Sequence, residues 1–491
     1  MRKLSVVIAV AAFIFSCSKP EDFIFPEDGI INNQDGKLSA LKAVGQYNGE
    51  STCTGVFVKI SDNLDAPAYV LTNGHCVQDW SSTDVNINVT ATNHSITFNV
   101  FENTPSAEKV KVSVKQVSYS TMKGTDIGIV ELNTTVRELM NKGINPLPLA
   151  KQLPITGTPI KVYGIPVNEI EPNQQFLRQS SCVQGKKTDL IEFTWTWWDM
   201  YANQCGNIKG GSSGSPVISS LNDGVFGLIN TTTIDAGSPC YLGAPCESST
   251  QGVSFSENTS YMLPVVGVQG CFTSSGKFDI NAPDCKLDKG KQVKLAGSPI
   301  GSINPSANEI GGRPANKHWN YTVSEMTHYR YKIGQMGVSN PRDLTGFSEV
   351  ISTAVKPIIN DSLPTKAGHY YLSVIGGNSP SFDANWQQAT YATIIRIEID
   401  KSMPTKEPVV IINDFGDNYS VALYFSPPEL SNYIYKIGKP DITDANDPKG
   451  YVTYRRIPIN IDKKNLPLKV CVIGYDAAGN ATKPYEKIID K

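Results

Sequence analysis

Eight of the ten cysteines in this 491-residue chain fall between positions 53 and 285, and that confinement constrains the fold more than any other feature. Cysteines at this density in an exported chain pair into disulfides, so the front half reads as a stapled unit distinct from the rest. Proximity pairs Cys53 with Cys76, Cys182 with Cys205, Cys240 with Cys246, and Cys271 with Cys285. Cys471 lies in the apolar strand Leu468 to Ile473, where a small buried thiol is the expected role. A single hydrophobic core stops growing near ~250 to 300 residues, so the chain divides into two or three domains.

The 40 Gly and 31 Pro, with abundant Val, Ile, Thr and Tyr, favour short strands joined by turns, an all-β class. A formal net charge of -2 and no long Lys/Arg run leave nothing to track a phosphate backbone, which excludes nucleic acid as a partner. The five scattered His, with no HExxH and no paired CxxC, predict neither a metal site nor a cofactor. At the N-terminus, Arg2 and Lys3 precede an apolar run from Leu4 to Phe15, then Ser16 and Cys17. The run is too short to span a bilayer. A Cys directly after it resembles a bacterial lipobox, which implies a leader over 1–16, an acylated Cys17, a flexible tether over 17–37, and export to the outer membrane.

From 38 to 286 short apolar runs such as Gly55 to Ile60, Tyr69 to Thr72, Ile127 to Leu132 and Gly224 to Ile229 alternate with Gly, Asn, Pro and Ser. They predict an antiparallel barrel or sandwich. Within Phe193 to Tyr201, a strand would point Trp195 and Trp197 to one face and Trp198 to the other. Core packing is the plainer role for them, and a pocket wall or sugar platform the rival. Beyond 286 a faint repeat appears: YRYKIG at Tyr329 to Gly334 returns as YIYKIG at Tyr433 to Gly438, and IEIDK ending at Lys401 returns as KIIDK ending at Lys491. The copies lie about a hundred residues apart, the size of one β-sandwich module. The closing VIGYDAAGN at 472–480 resembles immunoglobulin-like or fibronectin-like modules, which implies two of them, over 287–402 and 403–491.

Three segments carry the chemistry. YVLTNGHCV at 69–77 is a strand feeding a turn with His75, and Cys53 in the preceding CTGVFV is placed to tie that strand to the turn. GTDIGIVEL places Asp126 at the head of an apolar strand, and GGSSGSPV holds Ser213 among glycines. Glycines let the backbone turn sharply enough to expose a nucleophile and aim amides at an oxyanion. His94, in a polar alternating strand, reads as a solvated surface histidine, and Asp79 and Asp84 as turn caps.

In order and approximate spacing these segments resemble the trypsin and chymotrypsin family of serine peptidases over residues 45–265. The resemblance implies a double β-barrel over 38–286, Ser213 as nucleophile, His75 as general base and acid, Asp126 as its orienting carboxylate, and the amides of Gly211 and Ser213 as oxyanion hole. It puts Asn207 near the base of the primary specificity pocket, with Asn230, Thr231, Thr232 and the stretch around Gly252 as walls. No carboxylate stands at that base, which disfavours substrates with Lys or Arg before the cut. Ser212 replaces the Asp that pairs with a freed N-terminus in animal trypsins, so no activation cleavage is expected. The implied partner is a protein or peptide substrate, with a membrane engaged through the lipid anchor and the chain a monomer. The alternative is a non-catalytic surface lipoprotein that binds protein or glycan on the same scaffold.

Overall fold

The computed structural model describes residues 28–490 except 81, 83, 221–222, 238, 250–251, 291, 298–300, 308, 311–312, 315 and 425–428. The leader, Cys17 and the first part of the tether lie outside the described residues. Part of the expected tether is not free: Gly29–Ile30 pairs with the strand Arg178–Glu192, and the Ile31 amide donates to Leu177 O at 3.1 Å. An open barrel edge offers unpaired backbone groups, and this segment covers some of them.

The first half of the front unit is a closed ring of six antiparallel strands. Val44–Asn48 is followed around the ring by Ser95–Phe98, Val110–Thr121, Ile127–Thr135, Pro67–Thr72 and Thr52–Lys59, which pairs back to Val44–Asn48. Along Val110–Thr121, buried Val112 and Val114 alternate with exposed Lys111, Ser113 and Lys115, the period of two that a one-sided strand requires. A second ring runs Pro159–Gly164, Pro216–Ile218, Gly227–Thr232, Ser260–Pro264, Trp195–Asn203 and Arg178–Glu192, closed by the pairing of its first and last members. Closure removes free edges. One buried apolar cluster spans both rings, from Phe57, Val70 and Ile129 to Leu190, Trp197 and Leu228. The disulfides join Cys53 to Cys76, Cys182 to Cys205, Cys240 to Cys246 and Cys271 to Cys285, and Cys471 is a free buried thiol.

Behind the rings lie two β-units, each with its own apolar cluster. The first packs a three-stranded sheet, with Tyr321 and Ile359, on a five-stranded one, with Tyr329, Leu372 and Ile397. The second packs Val421 and Ile461 of a three-stranded sheet on Tyr433, Val470 and Val472 of a four-stranded one. The repeated hexapeptides occupy matching strands, His328–Gln335 paired with Gly368–Gly377, and Asn432–Gly438 paired with Leu468–Tyr475. Their lysines do the same work. Lys332 Nζ donates to the carbonyls of Asn340, Asp343 and Thr345 above the Phe347 ring, and Lys436 Nζ to those of Asp447 and Lys449 above Tyr451. Each therefore fastens the loop after its strand. No helix among the described residues is long and apolar enough to cross a membrane.

Replacing Lys332 by Met leaves three loop carbonyls without their donor, and destabilisation of that unit by about 1–3 kcal/mol is expected. Urea unfolding followed at the unit's own tyrosines checks this; an unchanged midpoint would show that water replaces the lysine at no cost.

Candidate active site

The pairing of Pro67–Thr72 with Ile127–Thr135 brings two distant segments side by side, with Thr72 opposite Gly128. The first strand runs into the short turn Gly74–Cys76, and Asp126 stands immediately before the second. Asp126 Oδ1 accepts the His75 amide at 2.9 Å, and its Oδ2 lies 2.6 Å from His75 Nδ1. Asn73 Nδ2 donates to the Asp126 carbonyl at 2.9 Å. The carboxylate is 1% exposed and the imidazole 20%. A carboxylate only accepts, so it fixes the proton on Nδ1 and leaves Nε2 as the basic nitrogen. Burial alone would push the His75 pKa down, but the charge and hydrogen bond of Asp126, together with the charge of Glu192, outweigh it and leave the pKa raised.

Ser213 comes from the other ring, in the turn before Pro216–Ile218, and it lines the same cleft as His75 and Asp126. Among the described residues its hydroxyl has one partner, the Asn230 carbonyl at 3.5 Å. The amides of Ser212, Gly214 and Ser215 donate to the carbonyls of Lys209, Ile229 and Ser212. The amides of Gly211 and Ser213 have no such acceptor among the described residues, and both residues border the cleft. Gly211 adopts φ +98°, and a Cβ there would come within 2.7 Å of the Val167 amide nitrogen, so only glycine fits. Ser212 is buried, and its Oγ accepts the Lys209 amide at 3.3 Å, closing the turn from within.

Thr54 locks this turn to the first ring. Its amide donates to Ser213 O at 2.8 Å, its hydroxyl donates to Gly211 O at 2.8 Å, and that hydroxyl accepts the Ile165 amide at 2.9 Å. Thr54 is fully buried and adjoins Cys53, whose disulfide holds the end of the His75 turn. The sulfurs of Cys53 and Cys76 lie near His75, but as a disulfide they offer no thiolate to a metal.

The cleft, about 940 Å³, contains Asn230, Thr231 and Thr232 in its lining but neither Asn207 nor Gly252. Asn207 adopts a left-handed φ of 57° and points to solvent, so its neighbour Ile208 faces the cleft instead. Gly252 belongs to the hairpin Cys246–Ser249 and Gly252–Phe255, which pairs with Arg178–Glu192 and is held off the cleft. A buried carboxylate other than Asp126 also lines the cleft. Glu192, 6% exposed, accepts from Trp197 Nε1 at 2.8 Å, Thr231 Oγ1 at 2.9 Å and the Gly243 amide at 2.9 Å. Burial raises its pKa, and those three donors oppose the rise. No motif marks Glu192 in the sequence; only its place at the end of a strand running into an aromatic cluster hints at it. Trp195 and Trp197, stacked with centroids 5.8 Å apart, also line the cleft. His94 is not solvated: it is buried, with Nδ1 2.9 Å from the Tyr47 hydroxyl, because its strand end folds back over Val44–Asn48.

Residues 53–228 match the trypsin-like peptidase domain family. No curated protein matches the chain in sequence. Among solved structures, the Rv3671c protease in its inactive form is similar at 17% identity over 48% of this chain and 91% of that one, with a TM-score of 0.30. Human heparin binding protein is similar at 11% identity over 49% and 91%, with a TM-score of 0.30. A thermostable serine protease, AL20, from an extremophilic microorganism is similar at 16% over 46% and 92%, with a TM-score of 0.27.

Two outcomes are expected from this geometry. Thr54→Val strips Gly211 O of its donor and the Ile165 amide of its acceptor, and should cost about 1–3 kcal/mol in denaturant unfolding. The His75 imidazole should titrate above its ordinary value of 6.5, and Glu192→Gln, by removing a negative neighbour, should move that titration to lower pH. Proton NMR of the ring reads both, and a titration unmoved in the variant would mean that Glu192 exerts no field on His75.

Proposed function

We propose that the trypsin-like peptidase domain carried by this chain is a working serine endopeptidase. A peptidase domain takes protein or peptide substrates. The observation that carries the serine reading is the convergence of a buried Asp126–His75 pair and the Ser213 turn on one cleft. Rotation about χ1 turns the Ser213 hydroxyl from the Asn230 carbonyl toward His75. Nε2 accepts its proton as Oγ attacks the scissile carbonyl, the imidazolium is stabilised by Asp126, and the proton passes to the leaving amine. The unengaged amides of Gly211 and Ser213 receive the oxyanion, where one such donor contributes about 3 kcal/mol to transition-state stabilisation. Water then hydrolyses the acyl-enzyme by the same relay in reverse.

Asn230, Thr231 and Thr232 form the wall for the residues before the cut, with Ile208 beside them. The Asn230 Nδ2 is buried without a partner among the described residues. Glu192 already accepts three hydrogen bonds, which makes it a poor counter-charge for Lys or Arg; a polar or medium-sized residue suits the cleft better. The self-closed Ser212 turn supports an enzyme competent without activation cleavage. The same reading makes 38–286 the catalytic domain, tethers it through Cys17 to the cell envelope, and makes 287–402 and 403–491 immunoglobulin-like β-sandwich modules.

A fluorophosphonate probe tests the reading. Wild type should be labelled and Ser213→Ala should not, with peptide hydrolysis falling at least a thousandfold in the variant. A folded wild type that resists labelling would leave the non-catalytic binding scaffold as the function.

A further inference from the structure

We propose that the β-unit behind the rings is a positioning element of the active cleft, acting through Arg342; this rests on the peptidase reading above. The hairpin of Arg178–Glu192 and Trp195–Asn203 has two working faces. Glu192 pairs with Trp195 and Leu190 with Trp197, and Glu192, Trp195 and Trp197 turn to the cleft. The opposite face carries Ile191 and Trp198, which cluster with Met336 and Tyr371 of the β-unit.

Arg342 grips that opposite face. Its Nη1 donates to Asp199 Oδ2 at 2.8 Å and its Nη2 to Asp199 Oδ1 at 3.4 Å, a forked pair. Nη2 also lies 3.8 Å from Asp189 Oδ1, and the guanidinium sits 4.8 Å from the centre of the Trp198 ring. Asp189 and Asp199 are close enough for Asp189 Oδ1 to accept the Asp199 amide at 2.8 Å, so two carboxylates share this spot. Lys187 supplies one cation, at 2.6 Å from Asp199, and Arg342 supplies the other. At the hairpin's tip, buried Arg396 of the same β-unit donates to the Phe193 carbonyl.

Trp198 passes the grip on to the catalytic loop. Its amide donates to Gly124 O at 2.8 Å, and a Cβ on Gly124 would lie 2.6 Å from the Trp198 ring. Gly124 stands two residues before Asp126. The preceding Lys123 is held by Asp288 at 3.1 Å, with both side chains largely buried. The loop that aligns His75 is thus packed against a tryptophan that the β-unit covers.

The internal repeat shows that the arginine is not there for the β-unit's own sake. Lys332 and Lys436 fasten their loops at the same offsets, to the carbonyls 11 and 13 residues on. At the position equivalent to Arg342, the second unit has Asn446. The loop architecture survives without the arginine, so its charge and fork serve the contact with the hairpin.

In full-length protein, Arg342→Ala should lower kcat/KM for peptides long enough to touch Trp195 and Trp197 by roughly tenfold or more, mostly through KM. Hydrogen exchange should rise at the Trp198 amide and across 189–199 and 123–126, and stay at wild-type levels in the first ring's other strands. Arg342→Lys keeps the charge and loses the fork; it should fall between the two and serves if the alanine variant does not fold. Wild-type kinetics with wild-type exchange at Trp198 would overturn the proposal, as would exchange raised evenly over the whole chain. The exchange measurement is independent of catalysis, so an unlabelled wild type would sink the peptidase reading while Trp198 still decides this one.

Discussion

One threonine joins the two rings where the site is assembled. Thr54 spends its amide and its hydroxyl on Ser213 O, Gly211 O and the Ile165 amide, all from the opposite ring. Thr54 and Ile165 are fully buried, so the Thr54 hydroxyl and the Ile165 amide have no water as an alternative partner. Register between the rings follows from that demand. On the same strand, Cys53 ties down the end of the His75 turn, and a short stretch of first-ring backbone thereby holds both the His75 turn and the Ser213 turn.

The electrostatics follow from the same burial. Asp126 can sit nearly inaccessible because it accepts from a backbone amide and an imidazole and is itself steadied through Asn73. Its charge and hydrogen bond, together with the charge of Glu192, override the desolvation of His75. Glu192 is stabilised in the same way by three donors, from the hairpin, the Gly227–Thr232 strand and the Cys240–Cys246 loop, so one carboxylate unites three walls of the cleft. The charged groups of the cleft are thus each held by several partners, and the hairpin that forms its outer wall packs on the β-unit behind it.

The segments around His75, Asp126 and Ser213 are legible in the sequence because each is a local device: a strand entering a turn, a polar residue heading an apolar strand, a serine among glycines. The cleft walls are not legible in that way. Asn207 looks placed for the pocket by counting back from Ser213, yet its left-handed backbone turns it outward and brings in Ile208. Gly252 is near in sequence to the wall strand but is drawn away by hairpin pairing. His94 has a polar neighbourhood in sequence and is nonetheless buried against Tyr47. In each case the deciding partner is distant along the chain or the deciding variable is one dihedral angle.

By itself the sequence determined the all-β class, the confinement of the disulfides to the front of the chain, the repeated strand that carries Lys332 and Lys436, and the local chemistry of three motifs. Period-two alternation, turn residues and cysteine spacing are short-range properties, and they can be read from neighbours. Only the tertiary structure decided that Glu192 enters the cleft, that Thr54 bridges the rings, and that Arg342 reaches the hairpin behind the tryptophans. Those outcomes depend on which buried polar groups can satisfy one another once the rings close and the β-unit docks, a condition that no local stretch of sequence contains.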